Sequence, residues 1–274
     1  MKKSPILFLA LSLLIAGCDK TKDSSPREIV LTASSSQDTP DSRVTINESD
    51  AKTCTWSEND RISVYTSSNS FKTFTLSSGA GEKTGKFTAT LGSGETVSDY
   101  AIYPAGSHSY SNGTLEVSLP TSYQFKEGVS NIPMVSTVDD SNVLNFKHCG
   151  GVIRFGIKNL TVKGKFVFTS ADKKITGKFP VTYSGGKPTI NAVDNSSGSS
   201  VSISFNKPQS DTNLYYFYVP VPVGSYYDFT IEIINEDGQV VMTKNAKSTK
   251  NVVSRGTVLK MMTLTQPTFT GGNE

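Results

Sequence analysis

The residue with the clearest chemical context is Cys18, which closes the run Ile15-Ala16-Gly17-Cys18. Lipoprotein signal peptidase needs small side chains beside the scissile bond and a thiol at the next position to carry diacylglycerol. This run offers both. Upstream, Lys2 and Lys3 supply a positive start, and Ile6 to Ala16 is apolar apart from Ser12. That stretch is shorter than the roughly 20 residues needed to span a bilayer, so it reads as an export signal and not a transmembrane helix. Residues 1–17 are therefore expected to be removed, leaving Cys18 as a lipidated terminus on the outer membrane. One short acyl chain anchors only marginally, so such a protein depends on more than one.

Other chemistry-bearing residues lack the company that catalysis requires. The two histidines, His108 and His148, belong to no His-Glu-x-x-His motif, and no Cys-x-x-Cys occurs, so a zinc site lacks its ligands. Serine is abundant without a Gly-x-Ser-x-Gly elbow. Gly85-Lys86 invites a phosphate-loop reading, but Ala80 stands where the first glycine belongs and Phe87 replaces the magnesium-holding Ser or Thr. The acidic pairs Asp139-Asp140 and Glu236-Asp237 sit in turn-like segments. These residues predict a non-enzyme that needs no cofactor or metal. Removing Lys2 and Lys3 leaves 25 basic against 24 acidic residues, which gives no cationic excess for nucleic acid. Cys54 and Cys149 would lie where disulfides persist; they could pair, or stand as two buried thiols.

The elements that must position these residues read as β throughout. Leu115 to Leu119, Phe166 to Phe168, Val201 to Phe205 and Phe229 to Ile233 alternate apolar and polar residues, as half-buried strands do. Asp237-Gly238, ahead of Val240-Val241-Met242, is a hairpin signal. Turn clusters recur about every ten residues, a spacing that favours sandwiches over α/β folds. Residues 18–27 are a polar tether that cannot bury a core. An apolar restart after the polar stretch 136–145 divides the rest into an N-terminal domain, 28–145, and a C-terminal domain, 146–274. The string Thr84-Gly85-Lys86-Phe87 is echoed by Thr176-Gly177-Lys178-Phe179. Aromatic runs offer one binding possibility. On a strand Tyr216 and Tyr218 face one side, Tyr215 and Phe217 the other, which suits core or interface better than a sugar platform. Trp56 reads as a core anchor.

Several segments together resemble the fimbrillin family of Bacteroidales lipoproteins (FimA/Mfa-like, the type V pilus subunits and their accessories). They are Trp56 to Tyr65, Gly85-Lys86-Phe87, Tyr100 to Ala105, Leu115 to Pro120 with Gln124, Pro133-Met134, Phe146-Lys147-His148, Gly150 to Phe155 and Ile175 to Phe179. The resemblance implies two tandem transthyretin-like β-sandwich domains and a place in surface fimbriae. It further implies that an arginine-specific protease cuts after the first strand, which then leaves a groove for a neighbouring subunit's strand. In this sequence Glu28 to Ala33, with Ile29 and Leu31, is the strand to be released. Ser34 to Ser42 is the loop, Arg43 the cleavage site and Val44-Thr45-Ile46 the next strand. The donor would be Val258 to Leu264, with Val258, Leu259, Met261, Met262 and Leu264 apolar. Uncut, such a subunit would anchor or cap a fibre, or simply sit on the surface.

Two functions follow. The first is a structural fimbrial subunit or fimbrium-associated lipoprotein that exchanges strands with other subunits and adheres to host or bacterial surface ligands. The second is a glycan-binding surface lipoprotein of a nutrient-uptake system, which would need rings such as Tyr110, Tyr226 and Tyr227 in an exposed row.

Overall fold

A computed structural model of the chain describes residues 25–35, 55–126, 131–139, 141–194, 198–206, 214–247 and 249–266. Among them there is no helix, and the chain is all-β. The first strand, β1 (Arg27–Ser35), is followed by β2 (Arg61–Thr66), β3 (Ser70–Ser78), β4 (Thr84–Leu91) and β5 (Val97–Tyr103). Then come three short strands, β6 (Ser109–Ser111), β7 (Thr114–Leu119) and β8 (Ser122–Gln124), and after them β9 (Met134–Thr137) and β10 (Val143–His148). The order β1-β10-β9-β5-β2-β3-β4 closes on itself as a barrel. Expected as a two-sheet sandwich, this part closes because β1 pairs on both sides: antiparallel to β4 and parallel to β10. Closure removes the open edges that a sheet otherwise exposes.

Alternation decides what fills the barrel. Ile62 and Val64 of β2, Phe74, Phe87, Leu91, Ala101, Leu144 and Phe146 point inward and are fully or almost fully buried. The outer faces of β5 and β9 are covered as well. Ile102 and Val135 pack there against Leu115, Val117 and Leu119 of β7 and against Phe179 and Ile190.

The second half supplies the strands that complete this layer and a further core. Its strands are β11 (Gly151–Lys158), β12 (Gly164–Ser170), β13 (Gly177–Ser184), β14 (Lys187–Ile190), β15 (Ser200–Phe205) and β16 (Leu214–Val221). They continue with β17 (Gly224–Tyr226), β18 (Phe229–Asn235), β19 (Val240–Ala246), β20 (Asn251–Val253), β21 (Val258–Lys260) and β22 (Leu264–Thr265). Sheet β19-β18-β12-β15-β8 faces sheet β16-β11-β21, and their inner residues form one aromatic-rich core. Phe166 stacks on Phe217 at 4.6 Å within it. A third sheet, β14-β13-β7-β6, joins chain from both halves, and β8 pairs in parallel with β15. The boundary expected at residue 145 falls inside β10, whose residues all belong to the barrel's ladder. The expected hairpin is present: β18 and β19 pair antiparallel across Glu236 to Gln239, with Gly238 at φ +81°.

Candidate functional site

The expected release strand is a full member of the barrel. β1 runs in register with β4, placing Ile29 opposite Ala89, Leu31 opposite Phe87 and Ala33 opposite Gly85. On its other side Ala33 pairs with Leu144, and the Thr32 amide donates to Asn142 O at 3.0 Å. Strand period two turns residues 29, 31 and 33 inward. Ile29 is half-buried, and Leu31 and Ala33 are completely buried. Val30, on the other face, is 47% exposed. Beyond the outer end of β1 lies an open, mainly polar cavity of about 420 Å³ at whose rim Arg27, Ile29, Asp99 and Val138 meet.

At the inner end stands Trp56. Its amide donates to Glu82 O at 2.8 Å and its carbonyl accepts from the Gly81 amide at 2.7 Å, so the turn before β4 holds its backbone. Asp60 draws in the turn that follows, accepting from the Ser57 amide at 2.8 Å and from the Tyr103 hydroxyl at 3.2 Å. Burial raises the Asp60 carboxyl above its ordinary range, and those two hydrogen bonds oppose the shift. The indole meets Phe87, Tyr103 and Phe146 edge-on at 5.0, 5.5 and 5.8 Å, the geometry aromatic quadrupoles favour. Its Nε1–H donates to Ala33 O at 3.1 Å. The lone tryptophan is thus the core anchor expected of it, 1% exposed, and it is tied to the backbone of β1.

The C-terminal segment expected as a donor is seated in its own chain. β21 and β22 run parallel to β11, with Val258 opposite Val152 and Leu264 opposite Ile157. Between them the Met261 amide donates to Arg154 O at 2.9 Å, and beyond them the Gln266 amide donates to Lys158 O at 3.0 Å. Gly156 makes room for this seat, because a Cβ there would lie 2.9 Å from Thr263 Oγ1. Val258, Leu259, Met261 and Leu264 are half-buried, and Met262 is 86% exposed.

Cys18, Arg43 and Cys54 lie outside the described residues. Cys149 is a free thiol, completely buried, with Sγ 3.4 Å from Pro133 O; burial pushes its pKa far up. Gly85 and Lys86 belong to β4 and form no phosphate loop. His108 receives the Ser118 amide on Nδ1 at 3.1 Å, while Nε2 lies 2.9 Å from Pro104 O, so Nε2 carries the proton. Asp139 accepts from the Ser141 amide and hydroxyl, as a turn residue does. Among the described residues no cluster of His, Cys, Asp or Glu is suited to a metal.

The aromatic runs separate as strand alternation requires. Phe217 and Tyr215 face the main core of the second half, and Tyr216 and Tyr218 the other face of β16. No ring row of the kind a glycan platform needs is formed by the three tyrosines. Tyr226 is buried with its hydroxyl on Pro222 O at 2.7 Å, and Tyr110 packs edge-on against Tyr65 and Tyr100. Of the three only Tyr227 is exposed. Sequence reasoning missed the pairing of Ala33 with Gly85 beneath Trp56. The available signal was Gly85 itself, which the sequence offered as part of a rejected phosphate loop, a repeated string and a fimbrillin-like segment.

No family model matches the chain, and no curated protein sequence matches it either. Solved structures do. A "putative cell adhesion protein" from Bacteroides ovatus is 13% identical, with 88% of this chain and 92% of that one covered at a TM-score of 0.50. Another so named, from Bacteroides uniformis, is 18% identical over 82% and 90% with a TM-score of 0.40. The fimbrial anchor protein Mfa2 from Porphyromonas gingivalis is 11% identical over 80% and 82% with a TM-score of 0.31. The chain therefore shares the fold of the Bacteroides ovatus protein.

Proposed function

We propose that the chain is a fimbrium-associated surface lipoprotein, non-enzymatic, whose amino-terminal barrel is built to exchange its first strand. One observation carries this reading. β1 contributes side chains to the barrel core and hydrogen-bonds on both flanks, yet it is joined to β2 only through the long segment 36–60 that contains Arg43. A cut in that segment leaves β1 held by pairing and packing alone. An extended segment from another subunit then has a ready template, since backbone pairing gives affinity and alternate side chains give register. Cys18 carries the lipid that holds the protein on the outer membrane. Other fimbrial subunits are its partners, and adhesion to host or bacterial surfaces is its output. The segment Val258 to Leu264 serves as donor after leaving β11. The two halves, a barrel closed by β1 and a sandwich of two facing sheets, are read as this chain's version of the family's tandem arrangement.

The test uses the full chain, lipidated in an exporting bacterial host and treated with an arginine-specific protease. Mass spectrometry is expected to find a new N-terminus at Val44 together with detergent-resistant polymers. Assembled material bearing only an intact Cys18 terminus rejects the stalk role and assigns the protein to the anchor or cap. Loss of palmitate labelling in Cys18→Ala checks the membrane attachment.

A further inference from the structure

Ala33 is the smallest of the three β1 side chains that enter the core, and the opposite wall explains why. Gly85, its cross-strand partner, also faces inward. A Cβ at Gly85 would come within 2.6 Å of Leu76 Cδ1 and 2.9 Å of Trp56 Cδ1. The indole and Leu76 therefore already fill the space in front of β4 at this level. The indole has little room to withdraw, because the Gly81 and Glu82 backbone pins one side and three aromatic rings enclose the other. Its Nε1–H meanwhile reaches the Ala33 carbonyl.

We infer that Trp56 and Gly85 form a size and register gate, admitting only an extended segment of pattern large–x–large–x–small with its small residue beneath the indole. The backbone carbonyl that Trp56 requires is present in any peptide, so it fixes the level of the strand without choosing its sequence. The side chain at that level does the choosing. A slip of two residues brings Leu31 under the indole and overpacks a closed core. A slip of one turns the inward face outward. The occupant is a strand from a second copy of this chain. Leu259-x-Met261-x-Thr263 matches the pattern in one register, with Thr263 at the gate, whereas a shift of two sets Met261 there. The biological use of the gate rests on the strand-exchange reading; its physical existence does not.

Two arms keep these separable. In the first, full-length protein is nicked after Arg43, so that β1 is held without a covalent link, and incubated with fluorescein-labelled peptides spanning residues 27–35. The native peptide and Val30→Leu are expected to be captured equally. Ala33→Leu is expected to be captured at least about tenfold less, the scale on which overpacking acts. In the second arm the intact chain is melted as Ala33→Leu and as Ala33→Ser, and the leucine variant is expected to lose several degrees more than the serine variant. Equal capture of the Ala33→Leu peptide, or equal melting of the two variants, overturns the gate. Failure of every peptide to bind counts against strand exchange, and melting alone then judges the gate.

Discussion

Truncating Leu31 to alanine tests whether β1 is structural in the barrel. Leu31 is completely buried opposite Phe87, with Ala33 and Ile29 beside it on the inward face. Deleting a buried leucine side chain costs about 2–5 kcal/mol, the transfer loss plus the cavity left behind. The closed barrel has ladders on both sides of β1, which limits collapse around the void and favours the upper half of that range. The internal control is Val30→Ala on the same strand, where the side chain is largely exposed and the loss is about 1 kcal/mol or less. For a chain of this size about 3 kcal/mol corresponds to roughly 6–12 °C in Tm. The assay is urea unfolding followed by tryptophan fluorescence. Trp56 is the only tryptophan and lies in the barrel core, so the signal reports this unit directly. Equal midpoints for the two variants would falsify the assignment of β1 as a core strand.

Three ionisable groups give further tests. Glu95 accepts from Thr66 Oγ1 at 2.6 Å, Ser68 Oγ at 2.7 Å and the Gly92 amide at 3.0 Å, which hold its carboxyl down at about 2. Its contribution to stability is present above pH 4.5 and fades as pH falls toward 2. NMR titration should find that midpoint, rising in the Thr66→Ala, Ser68→Ala double variant. His108 is pushed below 6.5 by burial, against the Pro104 hydrogen bond and with Lys178 adding to the shift. It stabilises fully above pH 6.5, and that contribution declines as pH falls through its lowered pKa. His108→Asn should flatten the acid limb of a Tm-against-pH curve; an unchanged limb refutes the clasp between Pro104 and Ser118. The Cys149 thiol, raised by burial, should resist iodoacetamide in the native protein and react after unfolding, as peptide mapping at Cys149 would show.

What the sequence revealed is what local periodicity encodes. Alternation separated the two faces of the tyrosine run on β16, and the turn pair Asp237-Gly238 placed the hairpin; β1 was located through the fimbrillin resemblance, within two residues of its bounds. Neighbour relations are a different matter. Nothing in Glu28 to Ala33 announces a parallel partner more than a hundred residues away at Val143 to Phe146. β7 and β8, written in the first half of the sequence, find partners in β13 and β15 of the second. The apparent break at residue 145 reflects a polar turn ahead of β10. Strand pattern says which residues are buried but leaves open what buries them. The same gap hid the seat of the C-terminal segment, whose apolar residues suit an edge on β11 as well as a groove elsewhere. Ala33 escaped notice because a small apolar residue carries no signal until Trp56 and Gly85 are brought opposite it.

The geometry of β1 also limits how the proposed exchange could proceed. Spontaneous loss of the strand would open the ladders to β4 and β10 together, expose Phe87 and Leu144 on the barrel wall, and leave the Trp56 N–H without its carbonyl. Buried donors left unpaired and apolar surface returned to water both oppose that state. Cleavage after Arg43 changes none of these contacts; it only frees the strand's end. A nicked subunit should therefore keep β1 in place until a competing strand arrives. An incoming segment that enters from the exposed end near Arg27 can form ladder bonds residue by residue as β1 leaves, so that few groups are unpaired at once. The rate of exchange should then rise with the concentration of competing strand. A rate independent of that concentration would mean that β1 departs first, and would contradict stepwise replacement.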